Sequence, residues 1–218
     1  MRVLLSGAVT CLFAMPLLAQ DAAVLKVEFS NPNIVPSHWT LTLHPDGSGH
    51  FHAERGSGPP ADGLETMEPT TVNRDIQLSQ AFTDRVFETV RHHKFMDVTC
   101  ESHLKVAFQG WKKITYTGPD GQGSCEFNYS KDRDIENLGE WLVGVANTIT
   151  EGARLQMVLL HDPLGLDKEM QYLLEASGDG RLQQVCAISG ILQRVEDDPE
   201  VMDRVRKRAR ILLEQANK

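Results

Sequence analysis

The chain has 218 residues, of which 41% are hydrophobic and 24% are charged. This composition is that of an ordinary globular protein, and it excludes low-complexity and coiled-coil classes. The chain carries 22 Lys and Arg residues against 30 Asp and Glu residues, a formal net charge of -8 at pH 7. This negative charge disfavours nucleic acid as a partner, because nucleic-acid interfaces are rich in Lys and Arg.

The N-terminus predicts a secretory signal peptide, which we place at residues 1–20. Arg2 precedes an apolar run over residues 3–18, and small residues surround a cleavage point after Ala19. The run is short for a membrane-spanning helix, which needs about 20 apolar residues, and Pro16 lies near its end. We therefore expect a periplasmic or secreted protein with no stable membrane insertion after signal cleavage.

The first half of the chain predicts antiparallel strands. Residues 22–30 predict a first strand. In residues 39–44 large apolar side chains alternate with polar ones, and the turn at 45–49 leads into a second alternating stretch at 50–54. Residues 56–71 open with GSGPP and predict a long surface loop.

The middle of the chain predicts one helix between further strands. A strand around residues 74–78 is followed by an amphipathic helix whose N-cap is Ser79. Residues 104–130, LKVAFQGWKKITYTGPDGQGSCEFNYS, then predict three consecutive antiparallel strands, with turns at Gly110 and at residues 118–123.

These patterns predict an α+β fold, because apolar spacings of three and four follow the strands as far as the C-terminus. We expect an antiparallel β-sheet of about six or seven strands with a packed helix, followed by an α-helical C-terminal region. We divide the chain into a signal peptide at 1–20, a sheet-plus-helix unit at 21–131 and a helical region at 132–218. The helical region is small, so we expect it to dock on the sheet unit.

Three cysteines remain after signal cleavage, in a compartment where disulfides persist. Cys100 and Cys125 both lie in the β half, whereas Cys186 falls inside an apolar helical pattern. We predict a Cys100–Cys125 disulfide, whose loop of about 25 residues would stabilise the fold by roughly 3 kcal/mol. We expect Cys186 to be a buried apolar residue.

Three histidines on the first hairpin form a candidate metal site. With a turn over residues 45–49, His44 lies opposite His50 and diagonal to His52, so three imidazoles could converge. Such a set suits zinc, copper or nickel. The alternative is a solvated hairpin face on which histidine recurs. We predict no other cofactor.

No catalytic signature accompanies these histidines. The chain contains no G-x-S-x-G, H-E-x-x-H or C-x-x-C motif. We therefore expect an exported, non-enzymatic binding or interaction module, with an unidentified protein or small molecule as its partner. The alternative is an exported metal-binding protein or metalloenzyme that uses His44, His50 and His52.

Three segments together resemble a group of uncharacterised secreted bacterial proteins that is acidobacteria-like. They are GWKKITYTGPDGQGSCEFNYSKD, EGARLQMVLLHDPLGLDKE and VMDRVRKRARILLE. The resemblance covers nearly all of the mature chain. It implies export and a paired role for Cys100 and Cys125, and it implies no reaction, cofactor or partner.

Overall fold

The computed structural model describes residues 23–56 and 69–216. The predicted signal peptide at 1–20 and most of the predicted loop at 56–71 lie outside these residues. The described chain forms an α+β fold, as the sequence predicts. Its strands are β1 (Val24–Ser30), β2 (His38–Leu43), β3 (Ser48–Glu54), β4 (Thr71–Gln77), β5 (Trp111–Gly118) and β6 (Gly121–Phe127). Its helices are α1 (Gln80–His92), α2 (Arg133–His161), α3 (Leu166–Gly178), α4 (Ser189–Asp197) and α5 (Asp203–Ala216).

The six strands form one antiparallel sheet in the order β4-β3-β2-β1-β5-β6. Alternation places Val27, Leu41, Phe51 and Ile114 on the same buried face, where each is at most 1% exposed. Helix α1 packs on this face, and its predicted N-cap Ser79 accepts a hydrogen bond from the backbone N–H of Phe82.

Helix α2 belongs to two hydrophobic cores. Its first part, from Ile135 to Ala153, packs with the sheet and α1, whereas Leu155 and Val158 pack with α3, α4 and α5. At 1.5 Å per residue its 29 residues span about 43 Å. The sequence-based division at residue 132 falls at the N-cap of this helix, and the helix itself joins the two units.

Two polar contacts hold α2 against its neighbours. Arg74, on the buried face of β4, donates from Nη2 to Oε1 of Gln156 at 2.6 Å. Thr148 is fully buried and donates from its hydroxyl to the backbone oxygen of Gln183 at 2.6 Å. The second half of α2 is thereby fixed to both the sheet edge and the helical unit.

The prediction of a strand at residues 104–109, before a turn at Gly110, is wrong. These residues form no strand, and the three-stranded unit predicted over 104–130 contains only β5 and β6. A hairpin partner for β5 at Gly110 would need one of the edges of β5. Both edges are occupied, because β5 pairs with β1 on one side and β6 on the other.

The predicted disulfide is present. Cys100 and Cys125 are joined with a Cα–Cα distance of 5.8 Å, which ties the chain before β5 to the edge strand β6. Cys186 is a free cysteine that is only partly buried, so the expectation of a buried residue is wrong, and this partial burial raises the pKa of its thiol. The neutral thiol is therefore favoured, as expected of an unreactive cysteine.

The junction of the two cores at Gly152 gives a test of this packing. An added Cβ at Gly152 would lie 2.3 Å from Cγ2 and 3.0 Å from Cβ of Ile188. We expect Gly152→Ala to cost about 1–3 kcal/mol through overpacking, of which the better helix propensity of Ala restores about 1 kcal/mol. Urea unfolding measures the difference.

Gly190 of α4 is the matched control, because no atom lies within 4 Å of a Cβ added there. Gly190→Ala is expected to leave the free energy of unfolding unchanged or to raise it by up to about 1 kcal/mol. Equal stabilities of the two variants would contradict the close packing of α2 against Ile188.

Candidate functional site

The three predicted metal-ligand histidines share the exposed face of the β2–β3 hairpin, but the hairpin turn is tighter than predicted. His44 donates its backbone N–H to Ser48, and His50 lies opposite Thr42 rather than opposite His44. His52 lies opposite Thr40. His44 and His50 are therefore diagonal neighbours.

The ring nitrogens of His50 are directed towards β4. Nδ1 lies 2.8 Å from Oδ1 of Asp75 and Nε2 lies 2.7 Å from Oδ1 of Asn73. The hydrogen bond to Asp75 is the main cause of a raised pKa for His50. His52 lies 3.4 Å from Glu54. A shared ion would have to displace the Asp75 and Asn73 contacts, and the metal site remains a prediction.

Within residues 23–56 and 69–216, one group of three side chains brings its ligand atoms within 4.8 Å of one another: His93, Asp132 and Asp134. Asp132 is the N-cap of α2 and accepts hydrogen bonds from the backbone N–H groups of Asp134 and Ile135. Its other oxygen lies 3.2 Å from Nε2 of His93. These contacts describe a helix cap with an ion pair, and the positive end of a helix dipole disfavours a cation.

A cavity of about 360 Å³ lies between α2 and α3. The two helices form a hairpin with a short connection, in which the backbone N–H of Gly165 contacts Asp162. A Cβ at Gly165 would lie 2.3 Å from the Asp162 carboxylate, which would have to move. The cavity is lined by Glu151, Arg154, Val158, Asp162, Gly165, Lys168, Glu169 and Tyr172.

Helical spacing explains which residues line the cavity. On α2, Glu151, Arg154 and Val158 are separated by three and four residues, and so share one face. On α3, Lys168 or Glu169 and then Tyr172 follow the same spacing. The hairpin places these two faces opposite each other.

The polar centre of the cavity is the ion pair between Arg154 and Glu169. Nη2 of Arg154 lies 3.3 Å from Oε2 of Glu169, and Glu169 is only 5% exposed. Nε of Arg154 is buried and has no hydrogen-bond partner among the described residues. A buried donor without a partner costs about 1–3 kcal/mol.

Tyr172 contributes an aromatic wall and a hydroxyl group. Burial raises the pKa of Tyr172, and the Glu151 carboxylate raises it further. The hydroxyl therefore remains protonated near neutral pH. Arg181 lies over the ring, with its guanidinium carbon 5.2 Å from the ring centroid.

A second, smaller cavity of about 30 Å³ shares Glu151 and Arg154 with the first. It reaches the sheet unit, where Ala53 of β3 and Val72 of β4 contribute to its lining. Arg154 therefore lies where the sheet meets the helical unit.

The sequence contains one signal for this site, a charged residue in an apolar helical stripe. Glu169 falls within the buried apolar stripe of α3, between Leu166 and Leu173 and beside Met170. A charged residue on the buried face of an amphipathic helix needs a partner of opposite charge, and Arg154 on α2 is that partner. The pairing itself could not be read from the spacing.

The cavity is chemically suited to binding. Three acidic and two basic side chains line it, which gives a formal charge of -1 at neutral pH. The arrangement offers hydrogen-bonding groups and charge around a partly apolar space.

Comparison with known proteins does not assign the chain to a family. No protein-family model matches the chain, and a search of curated proteins finds no significant match. No helix in residues 23–56 and 69–216 is long and apolar enough to cross a membrane.

The ion pair gives a stability test. We expect Arg154→Met to cost about 2–4 kcal/mol, because it leaves the buried Glu169 carboxylate without its cationic partner. The double variant Arg154→Met/Glu169→Leu is expected to recover most of the loss, since it removes both charges. Chemical unfolding of each variant measures the effect.

Lys207→Met is the control, because it removes one positive charge from the exposed surface of α5. Its effect is expected to stay within about 0.5 kcal/mol of zero. A double variant that is no more stable than Arg154→Met would show that the charge pair is not the source of the loss.

Proposed function

We propose that the protein is an exported, non-enzymatic binding module that holds a small polar molecule in the cavity between α2 and α3. The observation that carries this proposal is the ion pair between Arg154 and the 5% exposed Glu169 in the wall of this cavity, where the Arg154 side chain keeps 25% exposure. An oxygen atom of a ligand would accept a hydrogen bond from the Arg154 guanidinium.

The charge of the lining favours a ligand that also carries a positive group. The acidic side chains Glu151, Asp162 and Glu169 outnumber Arg154 and Lys168. A zwitterion with a carboxylate and an ammonium group meets both requirements, because the carboxylate can accept from Arg154 and the ammonium group balances the excess negative charge. The volume of about 360 Å³ lies in the range of small-molecule sites and suits a compact molecule.

Two features support export as part of this proposal. Residues 1–20 have the charge and apolar pattern of a signal peptide. The Cys100–Cys125 disulfide is typical of proteins that fold in an oxidising compartment such as the periplasm or the extracellular medium. A periplasmic or secreted binding module satisfies both.

A ligand panel tests the proposal on the disulfide-bonded chain 21–218. Zwitterionic amino acids and betaines are compared with monocarboxylates, diamines and neutral sugars by thermal unfolding, and hits are titrated by calorimetry. We expect only zwitterions to raise Tm. Saturation at about 100 times Kd adds about 2.7 kcal/mol of stability.

The variants locate the binding. Arg154→Lys keeps the positive charge but loses the guanidinium fork, and it is expected to weaken zwitterion binding about tenfold or more. Lys207→Met is expected to bind like the unmodified chain. The proposal fails if no class of compound shifts Tm, or if the shift persists unchanged in Arg154→Lys.

A further inference from the structure

Charged residues follow a definite order along the cavity between α2 and α3. The contact between Arg154 and Glu169 fixes the register of the two helices. Glu151 is three residues before Arg154, and so lies about 4.5 Å further from the hairpin turn at a rise of 1.5 Å per residue. Tyr172, three residues after Glu169, lies at the same level on α3. The end of the cavity remote from the turn is therefore acidic and aromatic.

The end of the cavity at the hairpin turn carries a second acid. Asp162, the C-cap of α2, follows Arg154 by eight residues, a rise of about 12 Å along the helix. Its Oδ1 accepts from the backbone N–H of Gly165 at 3.1 Å. Its Oδ2 has no hydrogen-bond or ion-pair partner within residues 23–56 and 69–216. This oxygen is available to a cationic group of a ligand.

Between these two ends the α2 wall of the cavity is apolar. Val158 is four residues from both Arg154 and Asp162, lies on the same face of the helix and is only 5% exposed. From the far end to the turn, α2 thus presents an acid, a base, an apolar residue and another acid. The complementary ligand carries a cation, an anion, an apolar spacer and a second cation in the same order.

The charge of the lining agrees with this order. Its formal charge is -1, from three acidic and two basic side chains. A ligand with a second cationic group complements this charge better than a ligand whose own charges cancel. Lys168, the basic residue of the lining outside the ion pair, is exposed, so water and salt screen its charge.

We infer that the ligand of this cavity is a basic α-amino acid of the size of ornithine or lysine. Its carboxylate accepts from Arg154, its α-ammonium group faces Glu151, and its side-chain cation donates to Asp162. Its methylene groups pack on Val158. Because the cavity must first bind amino acids at all, this ligand class rests on the binding function proposed above.

The length of such a ligand agrees with the spacing of the charges. In an extended lysine about 7 Å separate the carboxylate carbon from the side-chain nitrogen, and a hydrogen bond of about 3 Å at each end brings the span to about 13 Å. The rise from Arg154 to Asp162 is about 12 Å. The short basic amino acid 2,3-diaminopropionate spans only about 10 Å with the same two hydrogen bonds, so we expect it to bind more weakly.

Two other classes of small molecule fit the order of charges less well. A diamine has no acceptor for the Arg154 guanidinium, and it brings two cations into a cavity that also contains Lys168. A dicarboxylate places a second negative charge beside Asp162, which like charges disfavour. A basic amino acid avoids both conflicts.

Matched ligands test this class on the disulfide-bonded chain 21–218. Calorimetry compares L-lysine and L-ornithine with L-norleucine, which has the carbon chain of lysine without the side-chain cation, and with cadaverine, which lacks the carboxylate. We expect lysine to bind about tenfold or more tightly than norleucine, and cadaverine not to bind. Equal affinities for lysine and norleucine would overturn the ligand class and leave the proposed binding function standing. Absence of binding by every amino acid would overturn both.

Variants locate the side-chain cation of the ligand. Asp162→Asn keeps an acceptor for the Gly165 N–H and removes the charge, so it is expected to weaken lysine binding about tenfold and to leave norleucine binding unchanged. Glu88→Gln removes one negative charge from the exposed side of α1 and is expected to change neither affinity. An equal loss of affinity for lysine and norleucine in Asp162→Asn would give Asp162 a structural role and overturn its contact with the ligand.

Discussion

The packing of α2 into two hydrophobic cores is the constraint on which the rest of the structure depends. Ala153 is its last residue in the sheet core and Leu155 its first in the helical core, so Arg154 stands at the transition. Because a continuous helix is stiff, α2 fixes the position of α3 relative to the sheet. The cavity lies beside this transition, between α2 and α3.

A buried charged pair lies at this transition between the two cores. Glu169 takes a position that the stripe of α3 would otherwise fill with an apolar side chain, and Arg154 compensates its charge from α2. A buried ion pair contributes little net stability and retains strong directionality. Such a pair is more useful for recognising a polar molecule than for stabilising the fold, which agrees with the binding function proposed for the cavity.

Asn128 holds the chain before β5 with hydrogen bonds of its side chain instead of a strand. Its side-chain oxygen accepts from the backbone N–H of Gln109, and its side-chain N–H donates to the backbone oxygen of Ala107. Its backbone N–H donates to Glu101, and its backbone oxygen accepts from the buried Lys112. These bonds fix the course of the chain between the disulfide and β5.

The sequence by itself determined the features that local periodicity records. Trp39, Leu41 and Leu43 alternate with polar residues because one side of β2 is buried, and the spacing of apolar residues in α2 reflects burial along one stripe. These patterns predict the α+β fold. The Cys100–Cys125 pair is predicted from the position of both cysteines in the β half. Only the tertiary structure decided which edges were free. Residues 104–109 have a strand pattern, yet β1 and β6 occupy both edges of β5. Arg154 meets Glu169 only because the α2–α3 hairpin brings the two helices face to face, which the spacing within each helix does not show.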